Sequence, residues 1–194
     1  MLAHQGFLSI DEMRLEYRLY GETPSHSPTI VMVHEGLGSI RTWGDFPRLL
    51  SDATGASVLV YSREGYGSSP LTQTELPLDY IRLHALKVLP RILDEIEFAG
   101  GVLLGHSDGA SIALLFAAAF PEVPAAVVSI AAHVFVEEVT LAGIEDVVRE
   151  WHATDLPARL ARHHGEKADA VFRGWSETWR DPRYRGFSAV DTIR

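Results

Sequence analysis

The chain has 194 residues, 46% of them hydrophobic, with a formal net charge of -9 and no cysteine. That length and apolar content are enough for one sizeable core and force no split into independent domains. The acidic balance argues against a general affinity for nucleic acid or anionic membrane, and the absence of thiols excludes disulfides and cysteine nucleophiles.

Residues 1–10 lack a basic patch followed by a long apolar run, so no signal peptide is expected. Residues 6–10 and 13–20 read as two strands joined in a hairpin. Residues 29–34 form a short buried strand, and 43–53 an amphipathic helix with Phe46, Leu49, Leu50 and Ala53 on one face. Another strand covers 57–61. A long helix over 79–98 carries Leu86, Leu89, Leu93 and Ile96 at helical spacing, with Pro90 expected to bend it.

Continuous apolar strands follow at 101–104 and 125–131, separated by an apolar-periodic helix at 110–120. The most apolar stretches, 101–120 and 123–136, are interrupted by His106, Asp108 and His133, so no membrane span is expected and the location is read as cytoplasmic. Alternation of strands and helices, with strands apolar on both faces, predicts an α/β fold: a mainly parallel sheet with helices on both sides. Beyond His133 the pattern turns to helices alone, near 137–154, 156–164 and 166–179. These hold three of the four tryptophans: Trp151, Trp175 and Trp179. Val171, Trp175 and Trp179 share one helix face. These aromatics either dock the helices onto the body or line a substrate site.

Gly105, His106, Ser107, Asp108 and Gly109 lie between a strand and a helix. A G-x-S-x-G run there makes a nucleophile elbow, a sharp turn that presents the serine hydroxyl above the sheet. Acyl transfer also needs a base, an acid that orients the base, and oxyanion donors. Gly36, in the turn after the 29–34 strand, and Asp108 are the expected backbone N–H donors. Glu35, Leu37, Asp108, Trp151 and Trp175 are the candidate substrate-binding residues. Nothing implies a metal or other cofactor.

The run H-E-G-L-G-S at 34–39 with Trp43 downstream, G-Y-G-S-S at 65–69 and G-H-S-D-G at 105–109 resemble, in order and spacing, the α/β-hydrolase superfamily. Within it the chain resembles meta-cleavage-product hydrolases, enol-lactonases and biphenyl-hydrolase-like (valacyclovirase) enzymes. The resemblance implies a core over 1–133, a helical lid over 134–187 and a tail, 188–194, leading toward strands not seen in this sequence. It implies a serine hydrolase with Ser107 as nucleophile, acting on a small carboxylic ester, a lactone or a C–C bond of a diketone-like molecule.

The chain departs from that pattern in several places. Ser62 and Glu64 stand where many relatives carry an Asp and an Arg, which questions the anchoring of the G-x-G-x-S turn. Glu35 replaces a common glycine, and the expectation is that it points to solvent, because a carboxylate near a developing oxyanion opposes catalysis. The resemblance implies an acid and a histidine after two further strands, and the sequence has no match to either. His133, just after the sixth strand, is the one candidate substitute base. His34 reads as a loop-stabilising residue, and His163 with His164 as a solvated helix end.

Asp108 either binds a substrate amino group, as the valacyclovirase-like branch implies, or caps the following helix. The alternative to an enzyme is a non-catalytic small-molecule-binding protein or an assembly subunit. An uncovered sixth strand predicts a homodimer through that edge, or else a tail folded back over it.

Overall fold

The computed structural model describes residues 4–21, 29–72 and 76–193. Its six strands run in the order β1-β2-β4-β3-β5-β6. They are β1 (Gln5–Ile10), β2 (Met13–Tyr20), β3 (Thr29–Val33), β4 (Ser57–Tyr61), β5 (Gly101–His106) and β6 (Ala126–Ile130). β1 and β2 form the antiparallel hairpin, β2 joins β4 antiparallel, and β4, β3, β5 and β6 run parallel.

Alternation along the central strands fills two cores. Val31, Val33, Leu59, Tyr61 and Leu103 face one side, and Ile30, Met32, Val58, Val60 and Leu104 the other. The first side is covered by α2 (Tyr80–Leu83), α3 (Leu89–Glu95) and α4 (Asp108–Ala119), whose Ile81, Leu89, Ile92, Ile112 and Phe116 are fully buried. α4 is apolar almost all round, as a helix enclosed by the core must be.

The second side is covered by α1 (Phe46–Thr54), which packs Leu50 of the face the periodicity selected but not the rest of it. Pro47 and Ser51 are buried, while Phe46 and Leu49 are 42% and 53% exposed. The cause is a close approach: the Ser51 hydroxyl donates to the Ala56 carbonyl at 2.8 Å, and only a small side chain fits there. Phe46 instead stacks on Trp43, with ring centroids 6.1 Å apart.

The long helix expected over 79–98 is broken into α2, a π turn at His84–Val88, and α3. Pro90 has no N–H to give, and the wider turn just before it absorbs the missing bond.

After β6 come α5 (Glu138–Ala153), α6 (Leu156–His164) and α7 (Ala168–Arg180). They enclose a small core of Leu156, Leu160, Ala168 and Phe172, while Trp179 and Tyr184 join the main core. Among the described residues no part of the tail pairs with β6. Phe135 bridges Ser188, and the Ala189 N–H donates to the Val134 carbonyl at 2.7 Å. Among the described residues no helix is long and apolar enough to cross a membrane.

Candidate functional site

Between β5 and α4, Ser107 takes φ 53° and ψ -118°, a conformation that side chains other than glycine rarely adopt. Such strain costs of order 1–3 kcal/mol and persists only where the surroundings fix it. Here they do. The Ser107 N–H donates to the Ile130 carbonyl at 2.8 Å, and its own carbonyl accepts from Ala110 and Ser111 at 3.0 Å each. A Cβ at Gly105 would collide with the Gly109 carbonyl, and one at Gly109 with the carbonyls of Val33 and His34. The elbow therefore abuts the carboxyl end of β3, where Gly36 lies.

The 34–39 loop is fixed from below. The His34 Nδ1–H donates to the Glu35 carbonyl at 2.7 Å, and its Nε2 accepts from the Arg63 N–H at 3.0 Å. Burial holds the His34 pKa well below the usual histidine value, and nearby Arg63 lowers it further. The ring is a neutral strut, in keeping with the loop-stabilising expectation. The buried Arg63 side chain donates to the Glu35 carbonyl at 2.9 Å, sits 3.9 Å from Asp108 Oδ2 and lies over the Tyr66 ring. Nothing among the described residues accepts from the Gly36 N–H.

Asp108 does not cap α4 with its carboxylate. The Tyr80 hydroxyl donates to its Oδ2 at 2.6 Å, and Trp179 Nε1 donates to the Tyr80 oxygen at 3.1 Å. The other oxygen, Oδ1, is buried with no partner among the described residues. Burial raises the Asp108 pKa, and Arg63 opposes that rise. The carboxylate faces the Arg63 guanidinium at 3.9 Å and is 1% exposed.

Glu35 does not point out to solvent. Its carboxylate lies over Gly38, where a Cβ would strike it, and sits 3.7 Å from His106 Nδ1. Nor is His164 a solvated helix end. It is 2% exposed, its Nδ1 accepts from the Gly67 N–H at 3.0 Å, and its Nε2–H donates to the Leu37 carbonyl at 3.0 Å. Two loops converge on this helix terminus and exclude water from it. Lys167 donates to the carbonyls of Gly67 and Ser69 at 2.7 Å each.

The missing Asp before the G-x-G-x-S turn is replaced from another strand. Glu16 Oε2 accepts from the Ser62 hydroxyl at 3.0 Å and the Ser68 N–H at 2.8 Å. Arg63, Tyr80 and Glu16 escaped the sequence reading, and only Arg63, between Ser62 and Glu64, lay beside a motif that could have flagged it.

His133 lies just past the end of β6; its Nδ1 is 3.5 Å from the Thr140 hydroxyl, and the ring meets Trp179 edge-on at 5.0 Å. Its backbone is clasped by Ser111, which donates to its carbonyl at 2.7 Å. Among the described residues no histidine ring is hydrogen-bonded to Ser107.

Trp151 stacks on Phe172 at 4.0 Å and joins α5 to α7, as a docking aromatic does. Trp175 reaches the site, since its Nε1 occupies the space a Gly36 side chain would need. The same Gly36 Cβ would lie 3.1 Å from Asp108 Oδ2. Beside Trp175, a cavity of about 90 Å³ is walled by Tyr66, Leu71, Leu76 and Val171.

A family model described as "alpha/beta hydrolase fold" matches residues 28–191. An alpha/beta hydrolase enzyme from a Medee basin deep-sea metagenome library is 16% identical, with TM-score 0.70, covering 96% of this chain and 74% of that one. A structure reported for carboxylesterases of the ammonia-oxidizing thaumarchaeon Nitrososphaera gargenis is 19% identical, with TM-score 0.70, covering 97% and 75%. The enol-lactonase from Burkholderia xenovorans is 18% identical, with TM-score 0.62, covering 93% and 72%. No protein of curated function matches the chain. The sheet order, the strained elbow after β5 and the family match agree, and this chain belongs to the alpha/beta hydrolase fold family.

Proposed function

We propose that the protein is a serine hydrolase of a small carboxylic ester, a lactone or a C–C bond in a diketone-like molecule. The observation that carries this reading is the positive φ of Ser107 at the strand-to-helix turn, with glycines on either side that no other residue could replace. In this mechanism the Ser107 oxygen attacks the substrate carbonyl, and the Gly36 and Asp108 N–H groups receive the resulting oxyanion. Collapse expels the leaving group and leaves an acyl-enzyme, which water then hydrolyses. The helical segment acts as a lid, and Trp175 and His164 both contact the oxyanion loop.

With no histidine bonded to Ser107 among the described residues, proton removal has no resident base. Loss of a triad partner lowers rate by on the order of 10⁴ to 10⁶. Turnover of activated aryl esters by this 194-residue chain is therefore expected to be very slow. The same observation favours a second reading, a binding protein for small esters or acids that does not turn them over.

A fluorophosphonate probe separates the possibilities. Slow labelling that reaches one equivalent and disappears in Ser107→Ala supports a nucleophile without its base. Rapid labelling would overturn the impairment and make His133→Ala the next variant to measure. No labelling, with esters still bound, leaves the second reading.

A further inference from the structure

Arg63 is only 3% exposed, and the mechanism above gives it no task. A buried guanidinium is costly unless its charge and its donors are met. Here the donors converge on one place. Nη2 donates to the Glu35 carbonyl at 2.9 Å. The Arg63 backbone N–H donates to His34 Nε2 at 3.0 Å, so the neutral ring carries its proton on Nδ1 and gives it to that same Glu35 carbonyl at 2.7 Å. The Gly38 N–H is a third donor, at 3.1 Å. Three donors thus meet one carbonyl oxygen, which has two lone pairs, and two of the three trace to Arg63. The same Nη2 lies 3.9 Å from Asp108 Oδ2.

The two partners are the ones the oxyanion needs. The peptide that begins with the Glu35 carbonyl ends in the Gly36 N–H, and Asp108 supplies the other N–H. A peptide group is planar and trans, so holding its carbonyl on one side aims its N–H to the opposite side. Hydrogen bonds accepted by the carbonyl, above all from a charged donor, draw electron density through the amide and make its N–H a stronger donor. The Gly36 N–H has no backbone acceptor among the described residues.

We infer that Arg63 is the positioning residue of the oxyanion site. It aims and strengthens the Gly36 N–H through the Glu35–Gly36 peptide, and by facing the Asp108 carboxylate as well it sets the spacing of the two donors. This rests on the hydrolase reading, because it assigns a task at the same site. Lysine is no substitute, since it carries the charge without the planar fork.

The test uses the full chain, isotope-labelled for amide NMR, and a fluorophosphonate whose reversible binding and phosphonylation steps are resolved by varying its concentration. In the unmodified chain the Glu35 carbonyl carbon and the Gly36 amide nitrogen are expected downfield, as in a strongly hydrogen-bonded peptide. Arg63→Lys should move the Gly36 nitrogen upfield and slow phosphonylation at least about tenfold, short of the 10²–10³ that follows loss of a whole oxyanion donor. Reversible binding of the probe should stay the same. Arg48→Lys, an exposed arginine paired with Asp52 on α1, should change none of these. Should Arg63→Lys not fold, His34→Gln, which removes the second donor, is expected to show the same upfield move and slower labelling.

Phosphonylation of folded Arg63→Lys at the rate of the unmodified chain would overturn the inference, as would a loss confined to reversible binding. So would a Glu35 carbonyl shift in the unmodified chain no different from that of a solvent-exposed residue, a measurement that needs no variant. Failure of the unmodified chain to label at Ser107 sinks the hydrolase reading and this inference with it. Normal labelling that Arg63→Lys leaves unaltered defeats the positioning role alone.

Discussion

Gly109 and Gly36 show how one residue type can carry different obligations. At Gly109 an added methyl would strike the carbonyls of Val33 and His34, which are backbone at the end of a strand laddered to β5. At Gly36 it would meet the end of the Trp175 side chain rather than backbone. Gly109→Ala is therefore expected to lose about 3 kcal/mol or more in urea unfolding, as changes that force backbone apart do. A loss under about 1 kcal/mol there would mean that the elbow is looser than this geometry requires. The spacing of Gly105, Ser107 and Gly109 made the elbow legible in the sequence, because all its requirements fall within five consecutive positions. Arg63, Tyr80 and Asp108 were not legible as a unit, since the carboxylate meets a guanidinium and a phenol from distant turns and no local pattern announces the meeting.

Three histidines act at the level of elements, each tying segments distant in sequence. His34 braces the 34–39 loop on Arg63, the His84 ring is hydrogen-bonded to the Tyr61 hydroxyl at 2.7 Å across to β4, and His164 joins the helical segment to two loops. Burial pushes all three below the usual histidine range, so the fold keeps them neutral. The unfolded chain takes up protons below pH of about 6.5 and the folded chain does not. Stability is then fully present above that pH and falls as the solution is acidified. Each fully buried histidine contributes about 1.4 kcal/mol per pH unit, so His34 and His84 together predict a loss of roughly 2–3 kcal/mol between pH 7.5 and 5.5. Asp108, raised by burial, works in the opposite sense at lower pH, nearer the carboxylate range. Urea melts at the two pH values check this, and equal midpoints would refute it. Strands and most helices were legible because apolar runs and periodicity are local. The buried face of α1 was not, because a close approach at Ser51 outweighed the larger side chains, and the π turn before Pro90 answers to a missing N–H rather than to hydrophobicity.

At the scale of the molecule the outer edge of β6 governs behaviour. No described strand pairs with that edge, and the tail, which was one of the two expected covers, binds the 134–135 segment instead. Register puts Val128 beside Leu104 and Ile130 beside His106, on the side of the sheet that α1 covers. Val128 and Ile130 are 44% and 41% exposed, and Phe46 and Leu49 of α1 are exposed on that same side. An unpaired ladder next to a bare apolar face templates association. We propose that a second copy covers it, the two β6 strands running antiparallel about a two-fold axis, since closed pairs are the commonest homo-oligomers. A stable contact of this kind buries more than about 1,000 Å². Sedimentation at micromolar concentration should give a dimer, and Val128→Lys should give a monomer by placing a charge opposite its own symmetry mate. A monodisperse monomer of the unmodified chain, stable with Val128 and Ile130 in water, would show that this edge tolerates solvent and that the assembly proposal is wrong.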